Sequence, residues 1–236
     1  MKTSKKKQGG EQEKKEGKKD NESERTENII AISVFILLII IIGGVLTKGF
    51  GLLGEDDDNN AKRINVPIGN DPFKGNPKGG VVIVAFSGYE CSFCKDAEQS
   101  MKRILDKYAE NVVYIFKDYP LTKTHPHAYN ASLAAECAKE QHKYWEYHDY
   151  LYEHNNQLET RYLEEYARLL GLNTEQFNEC LRTQRYKSEI EKDIQTAMLV
   201  GVTGTPTFFI NGIKVIGAQP EEEFIKIINS ELKANK

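Results

Sequence analysis

The sequence predicts an α/β domain that carries a helical insert and follows one apolar span of membrane length. Three observations predict it. An apolar run of strand length, Val81 to Phe86, leads into Cys91-x-x-Cys94 at the start of a helical pattern. The pair Asn211-Gly212 joins two short apolar runs near the end of the chain, which is a hairpin signal. The stretch Ile29 to Leu46 holds 18 residues without a charge.

Residues 1–28 are almost wholly Lys, Glu, Gly, Gln, Asn and Ser. They cannot bury a core, and they are expected to form a disordered cytoplasmic tail. Residues 29–46 would span about 27 Å as a helix, close to the hydrocarbon thickness of a bilayer. The long leading segment and the exit GVLTKGFG lack the features of a cleaved signal peptide. A buried core helix would show polar residues every third or fourth position, and Ser33 is the only one. The stretch is therefore expected to be an uncleaved transmembrane anchor. Lys14, Lys15, Lys18, Lys19 and Arg25 precede it, against Lys48, Lys62 and Arg63 after it. That bias favours a single-pass protein of the cell membrane, with its amino terminus cytoplasmic and its catalytic domain extracytoplasmic.

Residues 47–79 are rich in Gly, Asp, Asn, Pro and Lys and are expected to be an extracytoplasmic linker. The part beyond Lys48 carries a net charge near −6, which argues against nucleic acid as a partner.

Order is expected to begin near Val81, in a domain covering residues 80–236. Val81 to Phe86 is continuous and apolar, as in a strand buried on both faces. Cys94, Ala97, Met101, Ile104, Leu105 and Tyr108 then recur at helical spacing, so Cys91 falls at or near a helix start. Val112 to Phe116 reads as a second strand. The pattern turns helical from about His125 to Val200, with breaks near Asn155 and Gly171, giving an insert over about 122–201. Thr207 to Ile210 and Ile213 to Ile216 form the hairpin, and Pro220 to about Ala234 a final helix.

The chemistry centres on the four cysteines. A thiolate at a helix N-terminus is stabilised by the helix dipole and by free backbone N–H groups. A second thiol three positions on lies one turn away, close enough to resolve a mixed disulfide. Cys91 is thus the candidate nucleophile and Cys94 the resolving thiol, with Ser92 and Phe93 between them and Glu90 beside them. Half a zinc site looks the same, but no second Cys-x-x-Cys exists, and all five histidines (His125, His127, His142, His148 and His154) fall in the insert. No metal and no cofactor is assigned. The segment VTGTPTFFI sets Pro206 directly before a strand, where a cis bond would expose the Thr205 backbone and a trans bond would merely begin the strand.

Taken together, FSGYECSFC, FKDYPL, HPHAYNASLAAECA and GVTGTPTFFINGIKVIGAQP resemble the DsbA-like thiol:disulfide oxidoreductases of the thioredoxin superfamily, over about Asp71 to Ile228. The resemblance implies a thioredoxin fold with a helical insert, redox-active Cys91 and Cys94, and a cis-Pro206 preceded by Thr205 facing them. Two positions depart from the family's usual pattern: Gly88 stands where an acid is common and Ser92 where a proline is common. Glu90 is the candidate substitute for the missing acid. Cys137 and Cys180 are expected to be bridged in an oxidising compartment, the alternative being two separate buried thiols.

The resemblance implies an oxidase that donates the Cys91–Cys94 disulfide to reduced exported proteins and is reoxidised by a membrane quinone-linked oxidase. A disulfide reductase or isomerase is the alternative enzyme. A metal- or peptide-binding protein of the same fold is the non-enzymatic one.

Overall fold

The computed structural model describes residues 63–234, within a compact unit of residues 61–236. The expected tail, the span 29–46 and the first part of the linker lie outside the described residues. Among the described residues, no helix is long and apolar enough to cross a membrane.

Five strands make one sheet: β1 (Phe73–Gly75), β2 (Val81–Ser87), β3 (Val112–Asp118), β4 (Thr207–Ile210) and β5 (Ile213–Ile216), in the order β1-β3-β2-β4-β5. β2 runs parallel to β3 and antiparallel to β4 at the centre. The continuous apolar sequences follow from burial on both faces. Val81, Ile83 and Ala85 of β2, Tyr114 and Phe116 of β3, and Phe208 and Ile210 of β4 point into the larger core. The alternating Val84, Phe86, Val113, Ile115 and Phe209 point into a second core on the other face. Each large side chain buried this way contributes about 1.5–3 kcal/mol.

The crossover from β2 to β3 is α1 (Ser92–Tyr108), whose Cys94, Ala97, Met101, Ile104 and Leu105 form its buried stripe. The insert consists of α2 (Ala128–Lys139), α3 (Tyr144–Glu153), α4 (Thr160–Leu169), α5 (Thr174–Arg182) and α6 (Lys187–Leu199). It has more breaks than the pattern predicts: His142 and Gln184 take positive φ of 58° and 49° just beyond α2 and α5. The final helix, α7 (Glu221–Ala234), packs Phe224 and Ile228 into the larger core. Between β4 and β5, Asn211 and Gly212 both take positive φ, as a tight hairpin requires.

One expectation needs correcting. Residues 63–79, read as linker from their polar composition, belong to the domain. Arg63 makes a two-pronged ion pair with Glu231, each contact 2.8 Å, and donates to the Asn211 carbonyl. β1 adds an antiparallel edge to β3. Asp71 pairs at 2.8 Å with Lys117, a side chain only 1% exposed that also holds Asp193 at 2.8 Å. A buried ammonium needs such partners, and here one of them comes from the stretch before β1.

Candidate active site

β2 ends at Ser87, and the chain turns through Gly88, Tyr89 and Glu90 into α1. Cys91 is the N-cap of α1, with extended backbone (φ −83°, ψ 120°), and its sulfur accepts the Cys94 N–H at 3.3 Å. The first turn of the helix contains no acidic residue that would oppose a thiolate there. Ser92 and Phe93 begin the helix on its outer side, Phe93 standing 66% exposed. Both Cys91 and Cys94 are free thiols and both are buried.

From the other side of the sheet's end, the Thr205–Pro206 peptide is cis, and the Thr205 carbonyl accepts from the Cys91 thiol at 3.6 Å. The structure therefore brings Cys91, Cys94, Thr205 and Pro206 into one site from segments more than a hundred residues apart.

The two thiols differ sharply. Hydrogen bonding from the Cys94 side chain, then from the Cys94 backbone, lowers the Cys91 pKa to about 6, against an opposing contribution from burial. His125 adds a smaller electrostatic pull in the same direction. Cys91 is thus mostly thiolate at neutral pH. Burial pushes the Cys94 thiol far above its ordinary value, and the neighbouring Cys91 pushes it further. One sulfur is a nucleophile and good leaving group, while the other keeps its proton.

Glu90 has another occupation. Its carboxylate accepts the His127 backbone N–H at 2.8 Å, where the chain enters α2. At Gly88, the carbonyl accepts the Cys91 N–H at 3.3 Å, and no side chain is present to add charge. Sequence reasoning missed Ser87, which opposes the rise of the Cys94 pKa and whose hydroxyl lies 2.9 Å from that of Tyr152, and His125. Ser87 ended an apolar run and His125 lay in a His-rich segment, so neither carried a local signal.

Cys137 and Cys180 are bonded to each other, with their Cα atoms 5.8 Å apart, and join α2 to α5 within the larger core. Among the described residues, no group of three or more His, Cys, Asp or Glu is placed to hold a metal ion.

Residues 68–230 match the family described as thioredoxin. Among solved structures, a thioredoxin-like oxidoreductase from Silicibacter pomeroyi is 26% identical, with a TM-score of 0.65 over 70% of this chain and 94% of that one. Oxidised BdbD from Bacillus subtilis is 24% identical, with a TM-score of 0.67 over 74% of this chain and 100% of that one, and supports the fold. Curated relatives carry a different name. Na+/H+ antiporter NhaA 3 of Salinispora tropica is 39% identical over 142 residues, which is 60% of this chain and 22% of that protein. Na+/H+ antiporter NhaA 1 of Salinispora arenicola is 35% identical over 160 residues, 68% of this chain and 24% of that protein. This chain spans about a quarter of the length of the curated relatives it matches.

These relatives correct the expected localisation. A single-pass membrane protein with a cytoplasmic amino terminus and an extracytoplasmic catalytic domain does not agree with relatives named as antiporters, which are multi-span membrane proteins. The charge bias around residues 29–46 was a count of five against three, a weak basis for placing a whole domain.

Proposed function

From the fact that this chain belongs to the thioredoxin family over residues 68–230, we propose that it is a protein thiol:disulfide oxidoreductase acting through Cys91 and Cys94, and that it runs as an oxidase. One observation carries the reading: the Cys91 sulfur caps the N-terminus of α1 and accepts the Cys94 N–H at 3.3 Å, in surroundings that lower its pKa to about 6 while burial raises that of Cys94 one turn behind it.

In the oxidase direction, a client thiolate attacks Cys91 of the Cys91–Cys94 disulfide. Cys94 leaves with the electron pair and is protonated. A second client thiolate then attacks the client sulfur of the mixed disulfide, and Cys91 departs as thiolate. A stabilised thiolate favours the reduced form of the pair, so the disulfide is readily given away. The Thr205 carbonyl beside Cys91 offers a backbone acceptor to an extended client. Reduced exported proteins are the clients, and a membrane quinone-linked oxidase takes the electrons. Sodium–proton exchange is not carried over from relatives of which this chain matches about a quarter.

The test is to mix the oxidised full chain with a reduced, denatured protein of known disulfides. The oxidase reading expects the client to gain disulfides as the chain loses its own, and a Cys94→Ser variant, with Cys91 first joined to a small thiol in a mixed disulfide, to release that thiol and hold the client covalently until reductant is added. A chain that instead reduces disulfides and does not transfer its own is a reductase. A Cys94→Ser variant that traps nothing contradicts both.

A further inference from the structure

Away from the two thiols, a cavity of about 150 Å³ opens between α1 and α3, with β1 contributing Lys74 to its lining. Neither Cys91 nor Cys94 lines it. Its apolar walls are Leu105 of α1 and the rings of Trp145 and Tyr152 of α3.

Both rings are held in place by the surrounding fold. The Trp145 indole N–H donates to the Phe73 carbonyl at 2.9 Å, and the ring meets those of Tyr144 and His148 edge-on, with centroids 5.2 and 4.9 Å away. The Tyr152 hydroxyl lies 2.9 Å from that of Ser87, and its ring centroid lies 4.9 Å from that of Tyr89. Side chains already fixed in this way lose little further freedom when a ligand covers them.

The charged groups around these walls are unequally partnered. Of three carboxylates, Glu98 accepts from the Tyr114 hydroxyl at 2.7 Å and lies 3.1 Å from His148 Nε2, Asp149 pairs with Lys102 at 3.3 Å, and Glu153 is exposed to water. Of three lysines, only Lys102 has a carboxylate partner. Lys95 of α1 donates to the Glu153 carbonyl at 3.1 Å, and Lys74 lies over the Trp145 ring, 5.6 Å from its centroid. Two ammonium groups carried by different elements therefore line one cavity with aromatic walls, and neither has an ion-pair partner among the described residues.

Size and charge together select a ligand. An apolar cavity of about 150 Å³ accommodates a benzene ring. An ammonium holds a carboxylate by hydrogen bonds roughly twice as strong as those to a neutral group. We propose that this cavity is a binding site for a small aromatic carboxylate, with its ring against Trp145 and Tyr152 and its charge taken by Lys74 and Lys95. The proposal is independent of the thiol chemistry, since the site contains neither cysteine.

Trp145 is the only tryptophan of the chain, so its fluorescence reports the cavity directly. The test titrates the full chain with benzoate at constant ionic strength. Benzyl alcohol keeps the ring without the charge, and acetate keeps the charge without the ring. Benzoate is expected to give a saturable change at a concentration at least about tenfold below that needed for either comparison compound. The double variant Lys74→Gln, Lys95→Gln is expected to bind benzoate at least about tenfold more weakly and benzyl alcohol as before. Lys107→Gln, outside the cavity, is expected to change nothing. A signal that falls linearly with all three compounds is collisional quenching and overturns the proposal. So does equal affinity for benzoate and benzyl alcohol, and so does benzoate binding that survives the loss of both lysines. The three-compound comparison uses the unaltered chain, so it decides the question even where the double variant does not fold.

Discussion

The chain carries two cysteine pairs, and their difference shows how position decides what a thiol does. Cys91 and Cys94 lie three residues apart at a strand-to-helix junction, are both free, and differ in acidity because one caps a helix while the other is sealed beneath it. Cys137 and Cys180 are 43 positions apart, lie within helices among apolar neighbours, and are already joined. A local pair that closes a small ring suits exchange. A distant pair that closes a long loop restricts the unfolded chain and suits stability.

Substitution tests the comparison most severely. Cys91→Ser is expected to reduce transfer of a disulfide to a reduced protein to background, whereas the double variant Cys137→Ala, Cys180→Ala is expected to retain it. If the double variant also loses transfer in a folded protein, the two pairs do not divide their roles as described. The second largest effect is on stability. Losing the 43-position cross-link is expected to lower the unfolding free energy by about 4 kcal/mol, read from urea denaturation.

Acidity gives a smaller effect of definite sign. In the reduced protein the folded pKa of Cys91, about 6, lies below the ordinary thiol value of 9.0. The unfolded state therefore binds more protons between those limits, and stability rises with pH across that window. The contribution is fully present above about 9 and is lost as pH falls through about 6. The oxidised protein has no such thiol, so the urea stability of the reduced form relative to the oxidised form is expected to rise from about pH 6 to about 9, and to turn down above that as the unfolded chain loses the Cys94 proton that burial retains in the folded one. The smallest effect is that of His125→Ala, which removes an electrostatic contribution and is expected to move the Cys91 titration slightly upward, as read from its alkylation rate against pH.

Much of the architecture was legible because it follows local rules. The strand, Cys-x-x-Cys, helix succession and the Asn211-Gly212 hairpin appear where periodicity and turn chemistry put them. What stayed hidden was long-range. Phe73–Gly75 became a strand by pairing with β3, and Asp71 was drawn into the domain by Lys117, a partner 46 positions later. Neither could be read from a polar segment. In the site, Cys91, Cys94 and Pro206 announced themselves by spacing, but Ser87 of β2 and Tyr152 of α3 meet only through packing of the insert. The bond from Glu90 to the entry of α2 was hidden for the same reason.

The account depends on Cys91 being a thiolate at neutral pH because of where it sits. Ultraviolet thiolate absorbance of the reduced full chain, followed from acid to alkaline pH and compared with a Cys91→Ser variant, measures this directly. A transition centred at about 6 that disappears in the variant is predicted. A Cys91 transition near 9, the value of an ordinary thiol, would contradict it.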